Sequence, residues 1–181
     1  MRLFVGIPLP AELLDSLDAL VRRLRADKDG LRWSSPDTWH ITLQFLGETT
    51  PEKFECLTAC LAQIRAVPVP IRLDNTGVFA KAGVFWAGVT VSPELRLLHK
   101  AVCVATASCG VQSDDRPYRP HVTLARAKSG SASVLRNLQH KSSKTAKLPG
   151  FIATEFFLYE SRLGQGGAKH EVRQRFPLAP L

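Results

Sequence analysis

The 181-residue sequence contains no apolar run close to the roughly 20 residues that a transmembrane helix needs. Its first ten residues, MRLFVGIPLP, also lack a long apolar stretch and a small-residue cleavage site, so we expect no signal peptide. These two absences predict a protein without a membrane partner. They make the cytoplasm the expected compartment.

Motifs for nucleotides and metals are also missing. Neither G-x-x-x-x-G-K-[ST] nor G-x-G-x-x-G occurs, and the Gly-rich residues 164–167 do not join a strand to a helix. The chain has four cysteines, none of them in a C-x-x-C pair with zinc spacing. Cys56 and Cys60 are four apart in a helical pattern, which places them on one helix face. We interpret all four as small apolar core residues in a reducing compartment, in preference to a disulfide or a metal site.

Acidic residues are outnumbered, with 16 Asp and Glu against 24 Lys and Arg and a net charge of +8. An excess of this size favours anionic partners, nucleic acid first, although a solubilising surface charge explains it equally well. The length allows one domain, or two small lobes that share a core.

A four-residue phrase, His-x-Thr-Leu, occurs twice, beginning at His40 and at His121. Around each copy the order of predicted elements is the same: strand, helix, loop, His-x-Thr-Leu strand, helix and strand. The helices open at Pro10, which is 30 positions before His40, and at Pro93, which is 28 positions before His121. Matched order and spacing indicate an internal duplication with a period too long for a solenoid.

The duplication predicts an α+β fold, with residues 1–181 forming a single bilobal domain. The lobe halves are approximately residues 1–82 and 83–181, with or without an exchange of terminal strands. Two largely antiparallel sheets should face a central cleft, with the helices outside and a pseudo-twofold axis between the lobes. We also expect residues 69–80 and 150–161 each to form one continuous strand, and the chain to close with a last strand.

Residues two apart on a strand point to the same face, so His40 and Thr42 should point together, as should His121 and Thr123. Strict alternation turns Phe45 to the opposite, apolar face. A pseudo-twofold axis would then set the two His/Thr faces across one groove. We therefore expect each lobe to supply half of one site.

Two such His/Thr faces can catalyse nucleophilic attack on the phosphorus of a phosphate ester. Two imidazoles that titrate near neutral pH can act as one base and one acid, while two hydroxyls donate hydrogen bonds to anionic oxygens. Neither motif has an adjacent carboxylate, so we expect no metal and no other cofactor.

The segments RLFVGIPLP, HITLQFLG, HVTLAR and RFPL give the chain a resemblance to the 2H phosphoesterase superfamily. Within it, the chain resembles the bacterial and archaeal RNA 2′,3′-cyclic phosphodiesterases, also called 2′-5′ RNA ligases. The resemblance covers nearly the whole chain and is weakest at residues 74–83 and 128–148. It implies hydrolysis of RNA 2′,3′-cyclic phosphate ends to 2′-phosphomonoesters by release of the 3′ oxygen. It also implies a weak, reversible 2′-5′ joining of tRNA halves.

The same resemblance assigns residues to roles. His40 corresponds to the proton donor and His121 to the proton acceptor, while Thr42 and Thr123 correspond to phosphate-binding positions. Arg126 matches a basic residue that follows the second motif and binds the substrate phosphate. Strict alternation would turn Arg126 to the wrong face, so it lies at the strand end, reaches around, or is only a surface arginine.

Other residues have weaker assignments. The family pattern places Phe4 near the cleft, where it could stack on a base or serve as a core residue. His170 is either a third cleft histidine or a surface residue, and we favour the surface. His99 and His140 lie in helical stretches and are expected to be non-catalytic.

Two alternatives stay open. The chain could be a 2H cyclic phosphodiesterase that acts on a small cyclic nucleotide or on an ADP-ribose cyclic phosphate. It could also be a non-catalytic protein that binds RNA ends, although such a binder needs no pair of proton-transfer groups. The expected partner is an RNA with a 2′,3′-cyclic phosphate end, such as a tRNA fragment, or a cyclic nucleotide, and we expect a monomer.

Overall fold

The computed structural model describes residues 1–112, 116–127, 132–142, 148–164 and 167–179. Within these ranges the chain forms ten strands and four α-helices. The strands are β1 (Arg2–Pro8), β2 (Leu31–Trp33), β3 (His40–Glu48), β4 (Val69–Ile71), β5 (Leu73–Phe79), β6 (Val84–Val89), β7 (His121–Ala127), β8 (Phe151–Ala153), β9 (Glu155–Gly164) and β10 (Gly167–Pro177). The helices are α1 (Ala11–Leu24), α2 (Pro51–Ala62), α3 (Pro93–Ala107) and α4 (Ala132–Ser142).

The helices begin where the local sequence supplies a start signal. In α2 the Thr50 side chain accepts a hydrogen bond from the Lys53 backbone N–H. In α3 the Ser92 side chain accepts one from the Leu95 N–H. Each cap satisfies a backbone donor that the first helical turn leaves without an internal partner, and a proline follows it in the first turn. The buried face of α1 repeats at helical spacing and comprises Leu13, Leu17, Leu20, Val21 and Leu24.

Two four-stranded antiparallel sheets carry the two motifs. One has the order β10-β9-β1-β3, and we name it the His40 sheet after the first residue of β3. The other has the order β2-β7-β6-β5 and is named the His121 sheet. The predicted α+β fold with antiparallel sheets is confirmed, and each sheet combines strands from both halves of the chain.

The strand exchange results from two breaks that the sequence analysis missed. The stretches predicted as single strands are interrupted at Arg72 and at Thr154. The short pieces before the breaks, β4 and β8, pair with each other, with Ile71 opposite Phe151. After the breaks, β5 joins the His121 sheet and β9 joins the His40 sheet. The first half thus contributes β2 and β5 to the His121 sheet, and the second half contributes β9 and β10 to the His40 sheet.

The hydrophobic core lies between the sheets and the helices that cover them. Leu17, Ile41, Leu57, Leu95 and Val122 are all fully buried in one continuous cluster. Burial of such a side chain contributes about 1.5–3 kcal/mol relative to exposure. Both His-x-Thr strands are therefore anchored through the apolar residues between their polar ones. Among the described residues, no helix has the length and apolar character needed to span a bilayer.

The prediction that all four cysteines are reduced core residues is wrong for this structure. Cys56 in α2 and Cys109, just beyond α3, form a disulfide across a Cα–Cα distance of 5.9 Å. The packing of α2 against α3 brings together residues that are 53 positions apart. Spacing within the sequence contains no signal of this approach. Cys60 and Cys103 are outside the disulfide and partly exposed.

Candidate active site

A β-bulge in β3 shapes the first half of the site. His40 pairs with Pro8 and Thr42 pairs with Gly6, after which the register shifts so that Phe45 pairs with Phe4. Across the shift, two consecutive residues of β3, Leu43 and Gln44, are both buried. Phe45 therefore returns to the His40/Thr42 face, where it is 68% exposed. The prediction that it lies on the opposite face is wrong, because a bulge breaks strict alternation.

The second half of the site carries the same bulge at the equivalent place. Thr123 pairs with Trp86, the register then shifts, and the consecutive residues Leu124 and Ala125 are both buried. Arg126 is thereby brought to the face of His121 and Thr123. Burial is the main cause that lowers the pKa of the His121 imidazole, and the positive charge of Arg126 lowers it as well. Arg126, one residue before the end of β7, thus lies on the same strand face as His121 and Thr123.

The two imidazoles are held in the same way. His40 Nδ1 lies 2.8 Å from the Thr38 carbonyl oxygen, and His121 Nδ1 lies 2.8 Å from the Arg119 carbonyl oxygen. In each case the carbonyl can only accept, so Nδ1 carries the proton and donates it. Nε2 is then the nitrogen left for chemistry in both rings. In His40 it lies 3.1 Å from Thr42 Oγ1.

Burial makes both imidazoles weak bases. Burial is the main cause that lowers the pKa of His40 from 6.5 to about 4. The hydrogen bond to the Thr38 carbonyl opposes this shift, and the charges of His170 and His121 add to it. The pKa of His121 is also lowered, chiefly by burial and then by Arg126. Both rings are therefore predominantly neutral at pH 7 in the free protein. A bound phosphate anion would raise both pKa values, because a nearby negative charge favours the imidazolium.

An aromatic cluster of Phe4 and Tyr159 packs against the His40 ring. The Phe4 ring is stacked on Tyr159 at a centroid distance of 4.9 Å and lies 4.5 Å from the His40 ring. Phe4 is only 2% exposed, so it presents no open ring face and the structure does not support base stacking by this residue. The exposed aromatic side chain on this face is Phe45, whose ring centroid lies 6.1 Å from that of Phe4. Sequence analysis missed Phe45, although its position matches that of Arg126 in the second motif.

His170 lies in the cleft, and the preference for a surface role is wrong. It sits on β10 opposite Ser161 of β9, and its ring meets His40 edge-on at 5.0 Å. The same ring is also 5.0 Å from Phe4. Burial lowers the pKa of His170, while the nearby Asp37 carboxylate acts in the opposite direction. No local pattern signals this contact, since β10 reaches β3 only through two intervening strands.

His121 has a different support, made of Phe79 and Trp86. Phe79 meets the His121 ring edge-on at 5.0 Å, and Trp86 lies 6.3 Å from it. The Trp86 ring lies against the sheet over Gly77 and Gly88, where a β-carbon at either glycine would overlap it. These glycines therefore let the indole lie flat beside His121.

Two hydrogen bonds connect the His40 strand to the second half of the chain. The Tyr118 hydroxyl, three residues before His121, donates to the Thr42 carbonyl oxygen at 3.1 Å. Thr106 Oγ1 in α3 donates to the buried Gln44 Oε1 at 2.7 Å. Tyr118 also stacks on His99 at 3.8 Å, so His99 serves in packing. These contacts connect β3 to α3 and to the segment that precedes β7.

This arrangement of two His-x-Thr strands in a duplicated antiparallel frame defines a two-histidine phosphoesterase. The family model of the 2′-5′ RNA ligase superfamily matches residues 13–165. The chain belongs to this superfamily, which confirms both the resemblance to the 2H enzymes and the prediction of an enzyme.

Relatives with assigned names are similar over most of the chain. The RNA 2′,3′-cyclic phosphodiesterase of Escherichia coli K12 is 30% identical over 182 residues, which cover 98% of this chain and 96% of that protein. The protein of the same name from Geobacillus stearothermophilus is 29% identical over 97% of this chain, and this chain spans only 56% of its length.

Solved structures show the same fold. The crystal structure of E. coli LigT complexed with 3′-AMP has a TM-score of 0.82 and 28% identity, and the match covers 99% of this chain and 98% of that one. A crystal structure of a Thermus thermophilus protein has a TM-score of 0.76 and 26% identity, with 98% of each chain covered.

Proposed function

We propose that this protein hydrolyses RNA 2′,3′-cyclic phosphate ends to 2′-phosphomonoesters, using His40 and His121 as a metal-independent acid/base pair. The observation that carries the proposal is the matched anchoring of both imidazoles, each through Nδ1 to a backbone carbonyl at 2.8 Å. Two Nε2 atoms held on facing strands can serve the two oxygens of an in-line displacement at phosphorus. The names of the relatives support the same substrate class.

In the proposed step, His121 Nε2 accepts a proton from a water molecule whose oxygen attacks phosphorus. The bond from phosphorus to the 3′ oxygen breaks, and His40 Nε2 delivers a proton to that oxygen. Thr42, Thr123 and Arg126 bind the non-bridging phosphate oxygens and stabilise the charge that develops on them. The product keeps its phosphate on the 2′ oxygen. The same step with an RNA 5′-hydroxyl in place of water as the attacking group gives the 2′-5′ ligation.

The assigned direction of proton transfer requires a charged His40, although burial keeps its pKa near 4 in the free protein. The substrate stabilises the charged form of His40, because a phosphodiester bound between the two rings places a negative charge beside both. Binding of the cyclic phosphate should therefore be accompanied by proton uptake. Neutral His121 is already in the form that a base needs.

Phe45 is the proposed contact for a nucleobase. It is exposed, it shares a face with Thr42, and it occupies the place that Arg126 has in the other half. The two equivalent positions thus carry an aromatic ring and a cation. Because of this difference, the two sides of the cleft are chemically distinct and a substrate can bind in one orientation. The Phe45 ring suits a base, and the Arg126 guanidinium suits a phosphate. An RNA end, including that of a tRNA fragment, offers both groups.

The test is incubation with an oligonucleotide that ends in a 2′,3′-cyclic phosphate, followed by analysis of the terminal phosphate. We expect a 2′-phosphate, full activity in EDTA, and loss of activity in His40→Ala and His121→Ala. The control is His140→Ala, which changes an exposed histidine of α4. A 3′-phosphate product, or activity that EDTA abolishes and a divalent ion restores, contradicts the proposal.

The same assay separates the two alternatives. Faster turnover of a cyclic mononucleotide or of ADP-ribose cyclic phosphate than of the oligonucleotide would favour the small-substrate enzyme. Binding without turnover of any cyclic phosphate would favour the RNA-end-binding protein. A monomer in the cytoplasm remains the expected state and location of the protein.

A further inference from the structure

Three cysteines outside the cleft form a compact sulfur cluster. Cys56 and Cys60 lie one turn apart in α2, Cys109 follows α3, and the three sulfurs all lie within 4.8 Å of one another. Cys56 and Cys109 form the disulfide, while Cys60 Sγ is only 3.6 Å from Cys109 Sγ. The Ser108 hydroxyl lies 3.3 Å from Cys60 Sγ and 4.0 Å from Cys109 Sγ. A structural disulfide alone needs neither the third sulfur nor the hydroxyl.

We propose that the reduced protein binds one thiophilic divalent cation, of which zinc is the type, through the sulfurs of Cys56, Cys60 and Cys109. The inference is independent of the phosphodiesterase activity. In a reducing compartment, where disulfides are rare, the Cys56–Cys109 pair would be reduced and all three sulfurs would be thiols. Reduction takes two electrons from a thiol, which also supplies the two protons, or from a phosphine, which becomes its oxide while water supplies the oxygen and the protons. The cation then displaces the thiol protons.

The spacing of the sulfurs suits tetrahedral zinc. With zinc–sulfur bonds of about 2.3 Å, two thiolates of one tetrahedron lie roughly 3.8 Å apart. The separation of 3.6 Å between Cys60 and Cys109 is already close to that value. Once the disulfide is reduced, the Cys56 sulfur can reach a ligating position by side-chain rotation. All three residues are only partly buried, so the ion can enter, and water or the Ser108 hydroxyl can complete the coordination.

Charges around the cluster also suit the complex. Three thiolates and one divalent cation leave a single negative charge. Lys53, one turn before Cys56, donates from its ammonium group to the Gly110 carbonyl oxygen at 3.2 Å, which places a positive charge beside Cys109.

The test uses the full chain, reduced with a phosphine and then freed of reductant under argon. Zinc alone is titrated in competition with a chromophoric chelator, and a thiol assay confirms that the cysteines are reduced. We expect one zinc per chain and a higher melting temperature with zinc. Cys60→Ala, which leaves the other two cysteines in place, should weaken binding at least about tenfold. The matched control is Cys103→Ala, a change at a partly exposed cysteine outside the cluster, which should bind as the parent protein does.

Equal zinc affinity in the parent protein, Cys60→Ala and Cys103→Ala would overturn the proposal. It would also be overturned if the fully reduced parent bound no zinc. Exchange of the disulfide between the Cys56–Cys109 and Cys60–Cys109 pairings, seen by peptide mapping without any zinc affinity, would assign the cluster to thiol chemistry instead. Because Cys60→Ala keeps the disulfide pair, its circular dichroism after oxidation shows that the variant folds.

Discussion

Acid should destabilise this protein through His40. In the fold the pKa of this imidazole falls from 6.5 to about 4, because burial disfavours its charged form. At pH values between these two pKa values, His40 is protonated in the unfolded chain but neutral in the folded chain. The free energy of unfolding therefore decreases as the pH falls from about 6.5 to about 4. With about 1.36 kcal/mol per pKa unit, the loss from His40 alone between about pH 7.5 and 4.5 is roughly 2.5 kcal/mol.

The assay is urea unfolding of the parent protein and of His40→Asn at both pH values. Between the two pH values, the free energy of unfolding of the variant should decrease by roughly 2.5 kcal/mol less than that of the parent. Only the change with pH is compared, so a different stability of the variant at neutral pH does not affect the result. The exposed control His140→Asn should lose as much as the parent. Equal losses in the parent and His40→Asn would refute the reasoning, as would an NMR titration of the His40 ring with a midpoint near 6.5. His170→Phe, which removes a neighbouring charge, should move that midpoint upward.

Three further predictions concern catalysis. An activated substrate whose leaving group needs no proton should largely rescue His40→Ala but not His121→Ala, and the opposite pattern in kcat would reverse the two roles. Arg126→Ala should raise KM more than Arg136→Ala, a change at an exposed arginine of α4, and equal effects would assign Arg126 to the general basic surface. Lys128, the neighbouring basic residue, lies outside the described residues. Phe45→Ala should weaken oligonucleotide binding by about 1–3 kcal/mol while Phe45→Trp retains it, and an unchanged KM in Phe45→Ala would exclude base stacking.

Local patterns predicted most of the secondary structure and the central pair of the site. The caps at Thr50 and Ser92, with the prolines that follow them, mark helix starts that depend on neighbouring residues alone. The His-x-Thr phrases predicted two polar strand faces because side chains on a strand alternate over a distance of two residues. Duplication of the flanking elements then predicted that the two faces belong to one site. None of these inferences needed a contact between distant parts of the chain.

The sequence by itself therefore determined the family, the helices and the choice of His40 and His121 as the candidate pair. Each of these depends on residues within short segments of the chain. Tertiary structure decided the rest, because each remaining feature depends on the strand or helix that packs alongside. A bulge exists only relative to a partner strand, and it is the bulge that returns Phe45 and Arg126 to the cleft. His170 contacts His40 because the sheet order brings β10 into the same sheet as β3, with β9 and β1 between them. The pairing of Cys56 with Cys109 likewise follows from the packing of α2 on α3, a contact that no local spacing encodes.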